Sequence, residues 1–231
     1  MIISYKYKFI FIKTRKTAGT SIEVFLSKHC GENDIVTPIG PPESGHIPRN
    51  YKGTFNVIKE IFSQSRHEAA RTIKDFLKRK RFYNHIPAFR VRARLPKKIW
   101  DNFFKFCVER NPWEKTLSRY YRLYYESNGK LSFDEYMSRC DFPVNYTLYT
   151  DGYKHERIIV DQVVKYENLS KDLEQIFKRL GVPFKDSLET YAKSHYQTEN
   201  RPYQDVFSDK HRKIVETLFK KELQMHGYKF D

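Results

Sequence analysis

No run of about 18 apolar residues occurs in the 231-residue chain, which excludes a membrane-spanning helix. The opening residues, MIISYKYKFIFIKT, hold a four-residue apolar core before Lys13, too short for a secretory signal. Only three cysteines are present, Cys30, Cys107 and Cys140, odd in number and far apart. That excludes a disulfide scaffold and a zinc site and points to a reducing, cytoplasmic compartment. Apolar content is low, at 39% with a mean hydropathy of −0.74. Aromatic residues at 16% nevertheless exclude a disordered chain, because each ring buries a large area. Acids are scarce: 28 Asp and Glu against 43 Lys and Arg leave a formal charge of +15. The excess predicts an anionic partner, such as a nucleic acid, an acidic glycan, a phosphorylated cofactor or a lipid surface. No zinc-finger, homeodomain-like or RNA-binding signature is present.

What is there alternates between strand and helix signals. Tyr7 to Lys13 is a dense β-branched and aromatic run that suits a buried parallel strand. The small-residue turn Thr17 to Ser21 follows, then a helix with Ile22, Phe25 and Leu26 inward. Gly31 to Tyr51 reads as a loop. Arg66 to Lys98 carries twelve Lys and Arg against two acids, in helices broken near Tyr83-Asn84-His85 and at Pro96. Phe103 to Glu109 is a second strand; Asn111 then caps a helix with Pro112 at its first position. Ile158 to Val164 is a third strand. Gly181 ends the helix that follows, Ser208 caps the last one and Gly227 ends it. The alternation predicts one α/β domain over 1–231, a mostly parallel sheet with helices on both faces. Residues 54–98 would form a basic helical insertion or lid.

One turn carries chemistry. Lys13-Thr14-Arg15-Lys16-Thr17-Ala18-Gly19-Thr20-Ser21 lies between a strand and a helix. A tight turn there aims backbone N–H groups into one concavity, and the helix N-terminus adds positive potential, so the turn suits a phosphate. Lys16 adds a point charge; Thr20 and Ser21 add hydroxyls. It is not a Walker A loop, G-x-x-x-x-G-K-S/T, which argues against an ordinary ATPase or kinase. Arg110 ends the second strand, the sheet edge where ligands of open α/β sheets bind. Ser118 lies about two turns into the next helix. Guanidinium and hydroxyl together make a second anion site. Two such sites on adjacent strand ends suit a ligand with two separated phosphates.

The pair K-T-R-K-T-A-G-T-S and V-E-R-N-P-W-E-K-T-L-S-R-Y resembles the 5′-phosphosulfate loop and 3′-phosphate motif of the sulfotransferases. The resemblance is nearest to the carbohydrate O-sulfotransferase branch, whose loop often reads P-K-T-A-G-T-S. Here Thr14-Arg15 replaces the usual residues, including the proline. Asp161 to Leu169 resembles D-x-V-x-R-F-E-N-L, with Lys165 and Tyr166 for Arg and Phe. His85-Ile86-Pro87-Ala88 resembles an H-x-x-A segment, and Lys213 to Phe230 the family's last helix and its G-Y-x-F ending. Most of the chain is covered, except about Gly31 to Arg81.

The resemblance implies a P-loop-like α/β fold and transfer of a sulfuryl group from 3′-phosphoadenosine-5′-phosphosulfate to a hydroxyl, with no metal. It implies that Lys16, Thr17, Ala18, Gly19, Thr20 and Ser21 hold the 5′ end and that Lys16 stabilises the leaving phosphate. Arg15 would add to the 5′ end, and Arg110 and Ser118 would hold the 3′-phosphate. His85 would be the base, with His46 second, and Arg201 would close over the donor. The acceptor would be an anionic glycan or another hydroxyl-bearing molecule, met by the basic stretch. A luminal domain of a Golgi-type enzyme is the alternative location. Two rival functions remain open. A nucleic-acid binder rests on charge and aromatics alone. A non-catalytic anion- or nucleotide-binding module would need Arg110 and the loop but neither Lys16 nor a base.

Overall fold

The computed structural model describes residues 1–61, 66–139, 141–152, 154–184 and 201–231. Cys140 therefore lies outside the described residues, while Cys30 and Cys107 are free thiols. The strands are β1 (Ile2–Ser4), β2 (Phe9–Phe11), β3 (Ile35–Val36), β4 (Phe104–Glu109) and β5 (Gln162–Lys165). They form one sheet in the order β3-β1-β2-β4-β5. β2 and β4 pair in parallel with Phe11 opposite Phe106, as do β4 and β5 with Cys107 opposite Val163. β1 runs antiparallel to both of its neighbours. Four strands thus point one way and β1 points back. This is the mixed α/β sheet that the strand–helix alternation predicts, with two short strands that it does not. β3 falls inside the polar Gly31 to Tyr51 segment, and β1 precedes the apolar run.

Period-two alternation explains why both faces of β2 are covered. Phe9 and Phe11 join Phe106, Val108 and Val164 on one face, against Ile22, Phe25 and Leu26 of α1 (Gly19–His29) and Leu173, Ile176 and Phe177 of α9 (Leu169–Leu180). Ile10, Ile12 and Cys107 face the other way, against Phe82, Ile86, Val91 and Trp100. Those residues come from the helical region of α2 (Val57–Ile61), α3 (Arg66–Leu77), α4 (Ala88–Arg94) and α5 (Lys97–Asn102).

That region is not simply a charged surface. Arg90 and Arg94 are buried: Arg90 Nη1 lies 2.6 Å from Glu60 Oε1, and Arg94 pairs with Glu60 at 2.6 Å and Asp75 at 2.9 Å. Neither a solvated face nor an anion groove describes these two arginines. They hold α2, α3 and α4 together, since buried charge is tolerated only when paired.

The remaining α-helices among the described residues are α6 (Pro112–Glu126), α7 (Phe133–Ser138), α8 (Tyr146–Tyr149), α10 (Asp209–Leu218) and α11 (Lys220–His226). The Asn111 side chain accepts from the Trp113 N–H at 3.0 Å and Pro112 opens α6, as the sequence predicts. Ser208 caps α10, and Gly181 and Gly227 end their helices with positive φ. Parallel pairing of β2 with β4 sets their carboxyl ends side by side. One end leads into Lys13 and the other into Arg110, so the two anion motifs become neighbours.

Candidate active site

The loop after β2 is stitched to β4. The Thr14 hydroxyl donates to the Val108 carbonyl and lies 2.7 Å from the Thr17 hydroxyl. Two of its residues sit in the left-handed region without being glycine, Lys16 at φ 61° and Ala18 at φ 56°. Each costs about 1–2 kcal/mol, a strain that persists only where the surroundings over-determine the backbone. No side chain caps α1 at Ala18, which leaves the first N–H groups of the helix without a side-chain acceptor there.

Gly19 is needed for space. A Cβ there would lie 2.8 Å from Lys13 Cγ and 3.3 Å from the Thr14 carbonyl oxygen. The Lys13 stem cannot swing away, because the residue is buried and its ammonium pairs with buried Glu23. Gly19→Ala is expected to cost about 1–3 kcal/mol by overpacking and to displace the loop. Urea midpoints and nucleotide affinity, measured together, check it; a variant normal in both contradicts the packing account.

The loop forms one wall of a cavity of about 500 Å³, a size that suits a nucleotide. Lys13 through Ser21, Asn84, His85, Arg110, Ser118, Arg119, Arg122, Asp141 and Tyr166 are among its lining residues. Of the residues singled out in the sequence, it brings together Arg15, Lys16, Thr17, Ala18, Gly19, Thr20, Ser21, His85, Arg110 and Ser118. Two do not line it. Arg201 is exposed and is not among the lining residues. His46 lies outside too, with a buried Nε2 that meets no partner; burial lowers its pKa to about 4.

Arg110 is gripped from two sides. Its Nε donates to Glu114 at 3.0 Å, and its guanidinium lies 4.2 Å from the Tyr166 ring centroid. The Nη groups remain for an oxyanion. Sequence spacing did not reveal Arg119 and Arg122, which follow Ser118 on α6. Arg119 pairs with Asp141 at 2.5 Å and Arg122 with Glu126 at 2.7 Å. Arg122 stands four residues after Ser118, on the same helix face, which was the available signal; the position of Arg119, one residue after Ser118, gave none. Six cationic side chains, Lys13, Arg15, Lys16, Arg110, Arg119 and Arg122, thus line a cavity with one carboxylate, Asp141.

His85 also has a left-handed backbone, at φ 56°. Its Nδ1 lies 3.1 Å from the Lys13 carbonyl oxygen. A carbonyl only accepts, so Nδ1 carries the proton and Nε2 keeps a lone pair. Burial, with the Lys13 charge beside it, lowers the pKa from 6.5 to about 3. The ring is therefore neutral at pH 7.

No protein-family model matches the chain. An uncharacterized protein of Archaeoglobus fulgidus is 40% identical over 103 residues, with 42% of this chain and 84% of that one covered. The two chains belong to one family. Its archaeal member brings no activity with it. Among solved structures, a sulfotransferase from Alicyclobacillus acidocaldarius aligns over 91% of this chain and 94% of its own. Identity is 19% and the TM-score is 0.37, so that likeness carries no argument.

Proposed function

We propose that the chain is a sulfotransferase that uses 3′-phosphoadenosine-5′-phosphosulfate as donor and a hydroxyl as acceptor. One observation carries the proposal: the 13–21 loop and the Arg110–Ser118 pair line one cationic cavity with His85. The loop N–H groups and Lys16 would hold the 5′-phosphosulfate. The Arg110 Nη groups and the Ser118 hydroxyl would hold the 3′-phosphate.

In the reaction the acceptor oxygen attacks sulfur while the bond from sulfur to the 5′-phosphate oxygen breaks. The electron pair leaves with that oxygen, and the acceptor proton passes to His85 Nε2. Such a loose transfer is catalysed by positioning and charge stabilisation more than by covalent chemistry. Lys16 is the residue whose charge meets the leaving oxygen. The acceptor class best suited to this cationic lining is an anionic glycan, which Arg119 and Arg122 would meet.

Calorimetry tests the donor. Adenosine 3′,5′-bisphosphate is expected to bind more tightly than ATP or 5′-AMP. Arg110→Ala should remove most of that preference and leave 5′-AMP affinity nearly unchanged, because the lost bonds go to the 3′-phosphate alone. Equal binding of ATP and the bisphosphate by the wild type would point instead to a generic nucleotide module.

A further inference from the structure

Asn145 lies 130 residues from the loop in sequence, fully buried, at the start of α8. Its side-chain amide engages both backbone groups of Arg15. Oδ1 accepts from the Arg15 N–H at 2.9 Å, and Nδ2 donates to the Arg15 carbonyl at 3.0 Å. Arg15 is the residue before Lys16, where the left-handed turn begins. A planar primary amide is the side chain that presents a donor and an acceptor side by side, as a paired strand would.

The other end of Asn145 is fixed as well. Nδ2 also reaches Glu109 Oε1 at 3.2 Å, and the Asn145 N–H donates to Glu222. Glu109 Oε1 accepts from the Arg110 N–H at 2.9 Å and from Lys115 Nζ at 2.7 Å. One carboxylate oxygen therefore ties the backbone of the 3′-phosphate residue to the side chain that clamps the 5′-phosphate loop. We propose that Asn145 is a positioning residue that sets the loop, and with it the separation of the two anion sites. This inference rests on the two-phosphate reading of the cavity.

The test compares three ligands: adenosine 3′,5′-bisphosphate, 5′-AMP and 3′-AMP. Asn145→Ala should weaken the two ligands that carry a 5′-phosphate by about tenfold, as loss of two neutral hydrogen bonds implies. Affinity for 3′-AMP should change little. Weakening of all three ligands alike, or of none, while the melting temperature drops, makes Asn145 merely structural and overturns the inference. A wild type that gains nothing from a 5′-phosphate overturns the cavity reading and the inference with it.

If the variant does not fold, hydrogen exchange at the Arg15 amide of the wild type decides. The Arg15 amide lies outside any helix or strand and donates to Asn145 Oδ1, so it would exchange faster without that acceptor. Slow exchange, slowed further by the bisphosphate but not by 3′-AMP, is expected. Fast exchange that no ligand alters overturns the proposal.

Discussion

Lys16→Ala is expected to lower turnover by about 10²–10³-fold while affinity for the sulfated donor falls far less. The asymmetry follows from when its charge is needed. In the proposed reaction the bridging oxygen of the bound donor carries little charge; as its bond to sulfur breaks, that charge would grow beside the Lys16 ammonium. Interactions that strengthen only in the transition state appear in kcat rather than in ground-state binding. Removal of one such donor costs about 2.7–4 kcal/mol of barrier. Single-turnover rates, and the donor affinity read from their dependence on donor concentration, separate the two effects. Equal losses in affinity and rate would make Lys16 an ordinary phosphate ligand, and a normal rate would remove it from the chemistry.

His85→Ala is expected to lower turnover by about 10²–10⁴-fold with donor and acceptor still bound, the range that general-base catalysis supplies. The pH profile adds a sharper expectation. Burial and the Lys13 charge lower the pKa of the free protein to about 3. The acidic limb of kcat/KM due to His85 should therefore lie near pH 3, not near 6.5. The bound anionic donor favours the imidazolium, so the limb of kcat should lie higher than that of kcat/KM. Both limbs should vanish in the variant. A wild-type kcat/KM limb near 6.5 that survives in His85→Ala would assign the base elsewhere.

The same group contributes to stability with a definite sign. Its folded pKa is below its unfolded one, so the unfolded chain binds more protons as pH falls from 6.5 toward 3. The stability that His85 contributes is thus present above pH 6.5 and lost as acid increases. The stability difference between wild type and His85→Ala, followed by urea titration, should shift against the wild type over that window.

The parts of the site that were legible in sequence are those whose geometry is local. Lys16 to Ser21 occupy one turn, and Arg110, Asn111, Pro112 and Ser118 follow one strand end and helix start. Their spacing alone dictates where they go once two strands pair in parallel. What was not legible depends on partners brought from far along the chain. Asn145 gives no local sign of its role, because the groups it binds belong to Arg15, Glu109 and Glu222. Arg90 and Arg94 read as part of a basic surface, since Glu60 and Asp75 reach them only when α2 and α3 fold over α4. β3 is two residues long inside a polar segment, and its pairing with β1 creates the strand more than its own composition does. Arg201 was assigned to the donor by resemblance alone; it is exposed and is not among the residues that line the cavity.

The central claim is that one cavity holds two phosphates, one on the 13–21 loop and one on Arg110 and Ser118. A crystal structure of the complex with adenosine 3′,5′-bisphosphate tests it most directly. The 5′-phosphate is expected within hydrogen-bond distance of Lys16 and the N–H groups of the loop, and the 3′-phosphate on the Arg110 guanidinium and the Ser118 hydroxyl. A nucleotide bound outside the cavity, or one whose 3′-phosphate points to solvent while Arg110 stays with Glu114 alone, would contradict the account.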